Sequence, residues 1–291
     1  MNPSILAATD LSEHAGAAVA RAGALAAAHG WPLHLAHVIH PGLLESLQAL
    51  LGRAPQELDE QHEATVRQQL AELLAIASPG TDPASHCAVL HGKPVDALAG
   101  NARELAARLL VVGAHGQGFF NALRLGSTAA RLIRRSPCPV LVVKQAVSGN
   151  YRRVLVATDF FPPALAALRL TRELLPDAGI VLLHAVETPF EGKMEHASIA
   201  SELIDRYRKD AEREGLTKLH ELVARESLPA DTVQLTRHGD IARLIIDEAE
   251  AQDCDLIVVG KHGLGPIEDF LLGSTTLNVL RESNRDVLVS L

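Results

Sequence analysis

The stretch Leu109-Leu-Val-Val-Gly-Ala-His-Gly116 is followed, after nine residues, by Gly126-Ser-Thr128. The same pattern returns as Leu256-Ile-Val-Val-Gly-Lys-His-Gly263 and Gly273-Ser-Thr275, 147 residues further along a chain of 291. Each copy joins four apolar residues to a turn of small residues and then to a helical pattern. Small residues let a backbone loop come close to another group, and phosphate is the usual partner of such loops. The pattern therefore predicts a nucleotide-binding loop in each half of the chain.

The repetition covers both halves and not only the glycine turns. Four further pairs of segments match in the same order: Ile5–Asp10 with Val154–Asp159, His37-Val38 with His184-Ala185, His91-Gly92 with His238-Gly239, and Val140–Val143 with Val287–Val289. Preserved order at a nearly constant offset is typical of a duplicated domain. We predict two domains, residues 1–146 and 151–291, with the boundary in the short polar segment 144–152. A linker this short favours an intramolecular pseudo-dimer.

Short apolar runs alternate with longer helical patterns in each half, which is typical of a parallel sheet covered by helices on both faces. The predicted fold class is therefore α/β, with two doubly wound, Rossmann-like domains. Strands are predicted near 4–9, 33–38, 86–90, 109–112 and 140–143, and near 153–158, 180–185, 232–236, 256–259 and 286–289. Helices of the first half are predicted near 13–29, 44–77, 94–107 and 127–135.

Cap residues are predicted from the same patterns. Ser12 is expected to cap the first helix and Gly30 to end it, and Ser127 and Ser274 are expected to cap the helices after the glycine turns. The charged helical stretches 42–80 and 190–228 are expected to cover a sheet face, and no chemistry is assigned to them.

Composition excludes several classes of function. The net charge of −8 and the aromatic content of 3% disfavour nucleic-acid binding. The N-terminus lacks a basic signal region, and no apolar window reaches the ~18 residues of a membrane span, so we expect a cytoplasmic protein without a membrane partner. The three cysteines, Cys87, Cys138 and Cys254, lie far apart and are expected to be buried, reduced thiols.

Two polar features fall at the carboxyl ends of predicted strands, where open parallel sheets bind their ligands. Asp10 ends the first strand and Gly113 the fourth, and Asp159 and Gly260 repeat this arrangement. If the first and fourth strands are neighbours, the carboxylate and the glycine turn face one crevice. The carboxylate would accept hydrogen bonds from a ribose or an adenine amino group, or lie behind a metal. The loop amides and the next helix N-terminus would hold phosphates, and the Ser and Thr hydroxyls could contact a metal that bridges them.

Other readings of these residues stay open at this point. The glycine turn could need only a positive φ, and each Asp could simply start a helix. His115 and His262, inside the glycine turns, could approach phosphate or stabilise the loop. His34, His37 and His40 recur every three residues, so neighbours point to opposite faces of a strand and make a poor metal site.

Rival nucleotide and catalytic motifs do not fit. No Gly-Lys-Ser/Thr occurs, which excludes a P-loop, and the first strand is followed by Asp-Leu-Ser-Glu rather than by GxGxxG. Ser127 and Ser274 lack a GxSxG elbow, so nucleophilic catalysis is not expected.

The chain resembles the universal stress protein family in its G-x2-G-x9-G-[ST] pattern, its Asp at the end of the first strand and its Ser136-Pro-Cys-Pro139 run. With two copies it is similar to the tandem members. The resemblance implies a five-stranded parallel sheet of order 3-2-1-4-5 in each half and binding of ATP, with Mg or Mn as the accompanying ion. It also implies that terminal strands pair across a domain or subunit interface, which would allow a homodimer.

The same resemblance implies the residues that would contact the nucleotide. Asp10 and Asp159 would meet the ribose or adenine, and the backbone of Val38 and Ala185 would meet the adenine. The phosphates would be held by Gly113, Gly116, Gly126, Ser127 and Thr128 in the first half, and by Gly260, Gly263, Gly273, Ser274 and Thr275 in the second.

The two copies differ in charge and in bulk. The second loop carries Glu268 and Asp269, which repel a triphosphate and are offset only in part by Lys261. Phe160-Phe-Pro-Pro163 also replaces the stretch that contains Ser12. We therefore expect the first half to bind nucleotide better than the second.

The leading reading is an ATP-binding regulator of stress responses with slow or no hydrolysis. The alternatives are an ATPase or nucleotidyl-transferring enzyme of the same α/β group, and a scaffold that holds a non-nucleotide ligand.

Overall fold

The computed structural model describes residues 3–39, 55–115, 125–186, 201–261 and 272–291. The chain divides into two compact units, Met1–Asn150 and Tyr151–Leu291. Both units are α/β, as predicted, and each is built on five parallel strands.

The first unit contains five strands and five helices within the described residues. Its strands are β1 (Ile5–Ala8), β2 (Leu33–Ile39), β3 (Cys87–His91), β4 (Leu109–Gly113) and β5 (Val140–Val143). Its helices are α1 (Glu13–His29), α2 (Pro55–Ala77), α3 (Pro83–His86), α4 (Pro94–Glu104) and α5 (Ser127–Arg135).

The second unit repeats this order. Its strands are β6 (Arg153–Ala157), β7 (Gly179–Val186), β8 (Val233–His238), β9 (Leu256–Gly260) and β10 (Asp286–Ser290). Its described helices are α6 (Pro162–Leu174), α7 (Ser201–Arg225), α8 (Ile241–Ala251) and α9 (Ser274–Glu282).

All ten predicted strands are confirmed, with ends that shift by one or two residues. The predicted helix 94–107 ends earlier, at Glu104, and the one-turn helix α3 was not predicted. The predicted stretch 44–77 is helical from Pro55 onward, and its first part lies outside the described residues.

The sheet of the first unit has the order β3-β2-β1-β4-β5, and that of the second has the order β8-β7-β6-β9-β10. Both follow the expected 3-2-1-4-5 arrangement, in which the order of the strands reverses between the first and the fourth, although all five strands run parallel. In the first unit Ala8 pairs with Ala36 on one side and with Val112 on the other. The carboxyl ends of the first, second and fourth strands therefore meet at one edge of the sheet, where such folds bind ligands.

The core of each unit lies between its strands and the helices that cover them. On α2, Val66, Leu70 and Leu74 follow a four-residue spacing and are fully buried, so one face of this otherwise charged helix packs inward. A Cβ on Gly23 of α1 would overlap the carbonyl of Ala77, which shows how closely α1 and α2 approach. The buried alanines and Gly23 of α1 therefore allow the two helices to pack closely.

Two of the three cysteines are buried, as predicted. Cys138 and Cys254 are buried, whereas Cys87, at the start of the outer strand β3, is partly exposed. Burial raises the pKa of the Cys254 thiol to about 12, so this sulfur stays protonated and unreactive.

Candidate functional site

The turn after β1 is held by its own side chains. Leu11 adopts a left-handed φ of 64°, and its amide donates to Thr9 Oγ1 at 3.0 Å. Asp10 Oδ1 accepts hydrogen bonds from the Ser12 amide at 3.1 Å and from the Ser12 hydroxyl at 2.6 Å. Ser12 Oγ in turn accepts from the Ala15 amide, which confirms Ser12 as the cap of α1. Asp10 therefore does serve to start a helix, while its carboxylate also lies at the edge where the strands end.

The second unit builds the same turn with different side chains. Phe160 has a φ of 68°, and its amide donates to Thr158 Oγ1 at 3.0 Å, while the Phe161 amide donates to Asp159 Oδ1 at 3.1 Å. Phe161 occupies the cap position of α6 and makes no side-chain cap hydrogen bond. The second unit therefore lacks the hydroxyl cap that Ser12 provides in the first.

A histidine closes the gap where β1 and β2 separate. The ladder ends with Thr9 N donating to Ala36 O, and His37 Nδ1 lies 2.9 Å from the carbonyl oxygen of Thr9. His184 Nδ1 lies 2.8 Å from the carbonyl oxygen of Thr158 in the second unit. The repeated histidine therefore fastens the second strand to the end of the first in both units.

At Gly126, the last glycine of the pattern in the first unit, glycine is required by close approach and not by a left-handed backbone. The Ala114 amide donates to Val143 O at 2.9 Å, and the Gly126 amide donates to Ala114 O at 2.8 Å. Gly126 has a φ of −62°, which any residue can adopt. A Cβ at this position would lie 3.2 Å from the Ala114 carbonyl oxygen. Glycine is therefore favoured at position 126 because a larger residue would contact Ala114 too closely, and not because the backbone needs a positive φ.

The prediction that Ser127 and Ser274 cap their helices is wrong. The cap positions belong to Gly126 and Gly273, neither of which makes a side-chain cap hydrogen bond, and the serines are the first residues of α5 and α9. Gly126 takes the cap position because the chain there passes close to Ala114, the residue after the fourth strand. The amides of a first helical turn have no partner within their helix, and their dipoles favour an anion.

A cavity of about 670 Å³ opens at this edge of the first unit. Its lining includes six of the seven residues predicted for the first half: Asp10, Val38, Gly113, Gly126, Ser127 and Thr128. The seventh, Gly116, lies outside the described residues. The fold therefore brings the carboxylate, the end of β2, the glycine turn and the start of α5 to one cavity.

Other lining residues were missed by the sequence reasoning. His62, Thr65, Val66 and Gln69 come from one face of α2, to which no chemistry was assigned, and Pro94 and Leu98 come from α4. His37 also lines the cavity, as does His115, which was named from the sequence as a residue that could approach phosphate. The paired His37-Val38 and His184-Ala185 were a usable signal for the first of these histidines, whereas α2 carries no comparable pattern.

The predicted residues of the second unit lie at the equivalent edge. Asp159 follows β6, Ala185 lies near the end of β7, Gly260 ends β9, and Ser274 and Thr275 begin α9. Gly263, His262, Glu268 and Asp269 lie outside the described residues. The Gly273 amide donates to Lys261 O at 3.1 Å, as Gly126 does to Ala114 O.

Two features distinguish this second edge from the first. Thr276 Oγ1 donates to Gly260 O at 2.8 Å, at a position where the first unit has Ala129. The Phe160 and His184 rings lie in contact, with centroids 4.5 Å apart.

Burial controls the charge of the two equivalent histidines. The pKa values of His37 and His184 are lowered mainly by burial, although the bonds to Thr9 and Thr158 act in the opposite direction. Both rings are therefore neutral near pH 7. No group of three or more metal-ligating side chains occurs in the part of the chain that the structure describes.

Comparison with known proteins agrees with this α/β architecture. A family model described as the universal stress protein family matches residues 1–144 and again residues 150–290. The chain therefore belongs to the universal stress protein family, with two copies of the domain in tandem.

Some related proteins match one half of the chain, and others match its whole length. A universal stress protein of Thermus aquaticus is 34% identical over 152 residues, which cover 50% of this chain and all of that protein. One from Mycolicibacterium smegmatis is 25% identical over 299 residues and covers 98% of this chain and 96% of its own length. The crystal structure of a universal stress protein from Archaeoglobus fulgidus covers 99% of this chain and 95% of its own, at a TM-score of 0.66 and 20% identity, and shows the shared fold.

The described helices include none that is long and apolar enough to cross a membrane.

Proposed function

We propose that this protein binds ATP in the cavity of its first unit. The observation that carries the proposal is the convergence of Asp10, the end of β2 at Val38, the glycine turn and the N-terminus of α5 on one cavity. Its volume of about 670 Å³ falls in the usual range for small-molecule sites. In this assignment Asp10 faces the ribose or the adenine, and the Val38 backbone faces the adenine.

The phosphate side of the proposed site has the chemistry that a polyanion needs. Gly113 and Gly126 line the cavity without a side chain, and the Ser127 and Thr128 amides belong to the open first turn of α5. The Ser127 and Thr128 hydroxyls, both exposed, add donors or ligands for a Mg or Mn ion that accompanies the phosphates. Gly116 completes the set by its place in the glycine pattern.

The second unit is proposed as a weaker site that uses Asp159, Ala185, Gly260, Gly263, Gly273, Ser274 and Thr275. Four hydrogen bonds of the first unit recur in it, at Thr158, Asp159, His184 and Gly273, which supports a related ligand. The carboxylates at positions 268 and 269 and the Phe160 side chain set it apart. A triphosphate beside two carboxylates is repelled unless a divalent ion intervenes.

We propose a regulatory role in the response to stress, with slow or no hydrolysis, for a protein of this family. Asp10 is the one carboxylate among the described residues that line the cavity, and its Oδ1 atom already binds Ser12. A hydrolase needs a base positioned on water, and the engagement of this carboxylate in the turn after β1 supports slow or no hydrolysis.

The test is calorimetric titration of the full chain with ATP and Mg²⁺. Gly126→Val should lower the affinity of the tighter site about tenfold or more, because even a Cβ there would press on the Ala114 carbonyl. The matched variant Gly273→Val should leave the tighter site intact. A larger loss from Gly273→Val would contradict the assignment of the better site to the first unit.

Turnover of the same samples separates binding from catalysis. Release of phosphate slower than about one event per minute, with nucleotide bound in proportion to protein, supports a regulator, since ordinary enzymes turn over far faster. Rapid multiple turnover would support the ATPase or transferase alternative, and no binding of ATP would refute the proposal.

A further inference from the structure

His37 lies between the two residues assigned to the nucleoside side of the proposed site. It precedes Val38 on β2, and its ring is bonded to the carbonyl of Thr9, next to Asp10. The side chain lines the same cavity as both of these residues. Its position is therefore close to the part of a nucleotide that carries the sugar and the base.

The bond to Thr9 determines which ring nitrogen carries the proton. A carbonyl oxygen has lone pairs and no hydrogen, so His37 Nδ1 must be the donor across the 2.9 Å that separates the two atoms. In the neutral ring only one nitrogen is protonated. Nε2 therefore carries a lone pair and is a hydrogen-bond acceptor.

The surroundings of the ring keep it in this neutral form. Burial lowers the pKa of His37 most strongly, and the neighbouring His62 lowers it further, while Thr9 and Asp10 act in the opposite direction. Among the described residues, the bond from Nδ1 to Thr9 is the hydrogen bond that holds the ring. Nε2 thus remains an acceptor on a side chain that lines the cavity.

We infer that His37 Nε2 accepts a hydrogen bond from a neutral donor on the nucleoside part of the ligand, either a ribose hydroxyl or the exocyclic amino group of the base. This inference rests on the proposed binding of ATP and adds a specificity-determining residue to it. Asp10 follows Thr9 and Val38 follows His37 along the chain, so His37 is expected to contact the nucleoside together with these two residues rather than the phosphates.

The second unit provides an internal comparison. His184 makes the same bond to Thr158, at 2.8 Å, so its Nε2 is an acceptor for the same reason. There the ring of Phe160 lies against the imidazole, whereas the first unit has Leu11 at that position. His184 is therefore a matched control with the same intramolecular bond.

The experiment uses His37→Asn in the full chain. The Asn side-chain amide can still donate to the Thr9 carbonyl, but it lacks an atom at the position of Nε2. Wild type and variant are titrated with ATP, 2′-deoxy-ATP, 3′-deoxy-ATP and the triphosphate of purine riboside, which lacks the amino group. His184→Asn is titrated in parallel, and thermal unfolding shows that each variant is folded.

We expect His37→Asn to weaken ATP binding at the tighter site about threefold to tenfold, which is typical for one neutral hydrogen bond. For the analogue that lacks the donor, wild type and variant should bind equally, and this analogue identifies the group that His37 contacts. His184→Asn should leave the tighter site unchanged.

Two outcomes would overturn the inference. In the first, the variant binds ATP as well as wild type does. In the second, the variant loses the same factor with all four nucleotides, which would show a purely structural role for the ring. If wild type binds no ATP, the proposed function itself fails, and this result is distinct from the other two.

Discussion

Asp286 begins the last strand of the second unit with its side chain fully buried. The Tyr151 hydroxyl, which is also buried, donates to Asp286 Oδ2 at 2.6 Å. The first unit has Pro139 at the equivalent position, so this buried polar pair belongs to the second unit alone among the two copies. A buried carboxylate is tolerated only where donors compensate the water that it has lost.

We predict that Tyr151→Phe lowers the free energy of unfolding by about 1–3 kcal/mol, because it removes a donor from a carboxylate that water does not reach. Denaturation in urea measures this difference. Tyr207→Phe is the control, since Tyr207 is 42% exposed and its hydroxyl can bind water. Equal stability of Tyr151→Phe and wild type would show that the hydroxyl is unimportant to Asp286.

At the scale of single elements, the first helices of the two units differ in their caps. Ser12 caps α1 through its hydroxyl, whereas Phe161 occupies the same position on α6 without a cap bond and with its ring 42% exposed. The backbone at the two cap positions is equally extended, with ψ angles of 160° and 162°. The backbone of both units could therefore accommodate a capping side chain, but only the first unit has a residue, Ser12, that can act as one.

We predict that Ser12→Ala destabilises the protein by about 0.5–2 kcal/mol, since one amide of the first turn of α1 loses its acceptor. Phe161→Ser should act in the opposite direction and stabilise α6 by a comparable or smaller amount. Thermal or urea denaturation of both variants tests the pair. Stabilisation by Ser12→Ala, or clear destabilisation by Phe161→Ser, would contradict this account.

The element scale also shows where local patterns mislead. Ser127 and Ser274 fit a cap pattern, yet Gly126 and Gly273 take the cap positions. Cap preference is a local property, whereas the space at position 126 is limited by Ala114, twelve residues earlier in the chain. The sequence shows a serine at a position typical of a helix cap, but it does not show how close that position lies to the Ala114 carbonyl.

At the scale of the whole molecule, His34, His37 and His184 all have pKa values lowered by burial. In the unfolded chain a histidine has a pKa of about 6.5. As the pH falls below this value, the unfolded state binds protons more readily than the folded state does, so the free energy of unfolding decreases. Above it, both states are neutral and these residues make no pH-dependent contribution.

We therefore predict that the free energy of unfolding falls between pH 6.5 and the lower pKa values of these histidines, by at most about 1.4 kcal/mol per pH unit for each of them. The lowered pKa values of Glu214 and Glu226 act only below the pKa of about 4.3 that glutamate has in the unfolded chain, and so do not contribute in this window. Urea denaturation at several pH values measures the slope. The double variant His37→Asn/His184→Asn should show a shallower slope, and an unchanged slope would contradict the assignment.

The sequence by itself determined the duplication, the alternation of strands and helices and the glycine pattern, because each of these is a local or periodic property. The burial of four-residue apolar runs such as Leu109–Val112 and Leu256–Val259 follows from their composition. The carboxyl-edge position of Asp10 and Gly113 follows from the strand order of such folds. These features required no knowledge of side-chain contacts.

Only the tertiary structure decided which further side chains reach the cavity. The α2 residues His62 and Gln69 lie far from the glycine turn in sequence and approach it because α2 packs its apolar face on the sheet. The acceptor nitrogen of His37 depends on a bond to Thr9, 28 residues away, which no pattern along the chain reveals. Proximity between segments distant in sequence, and the protonation that it imposes, exist only once the chain has folded.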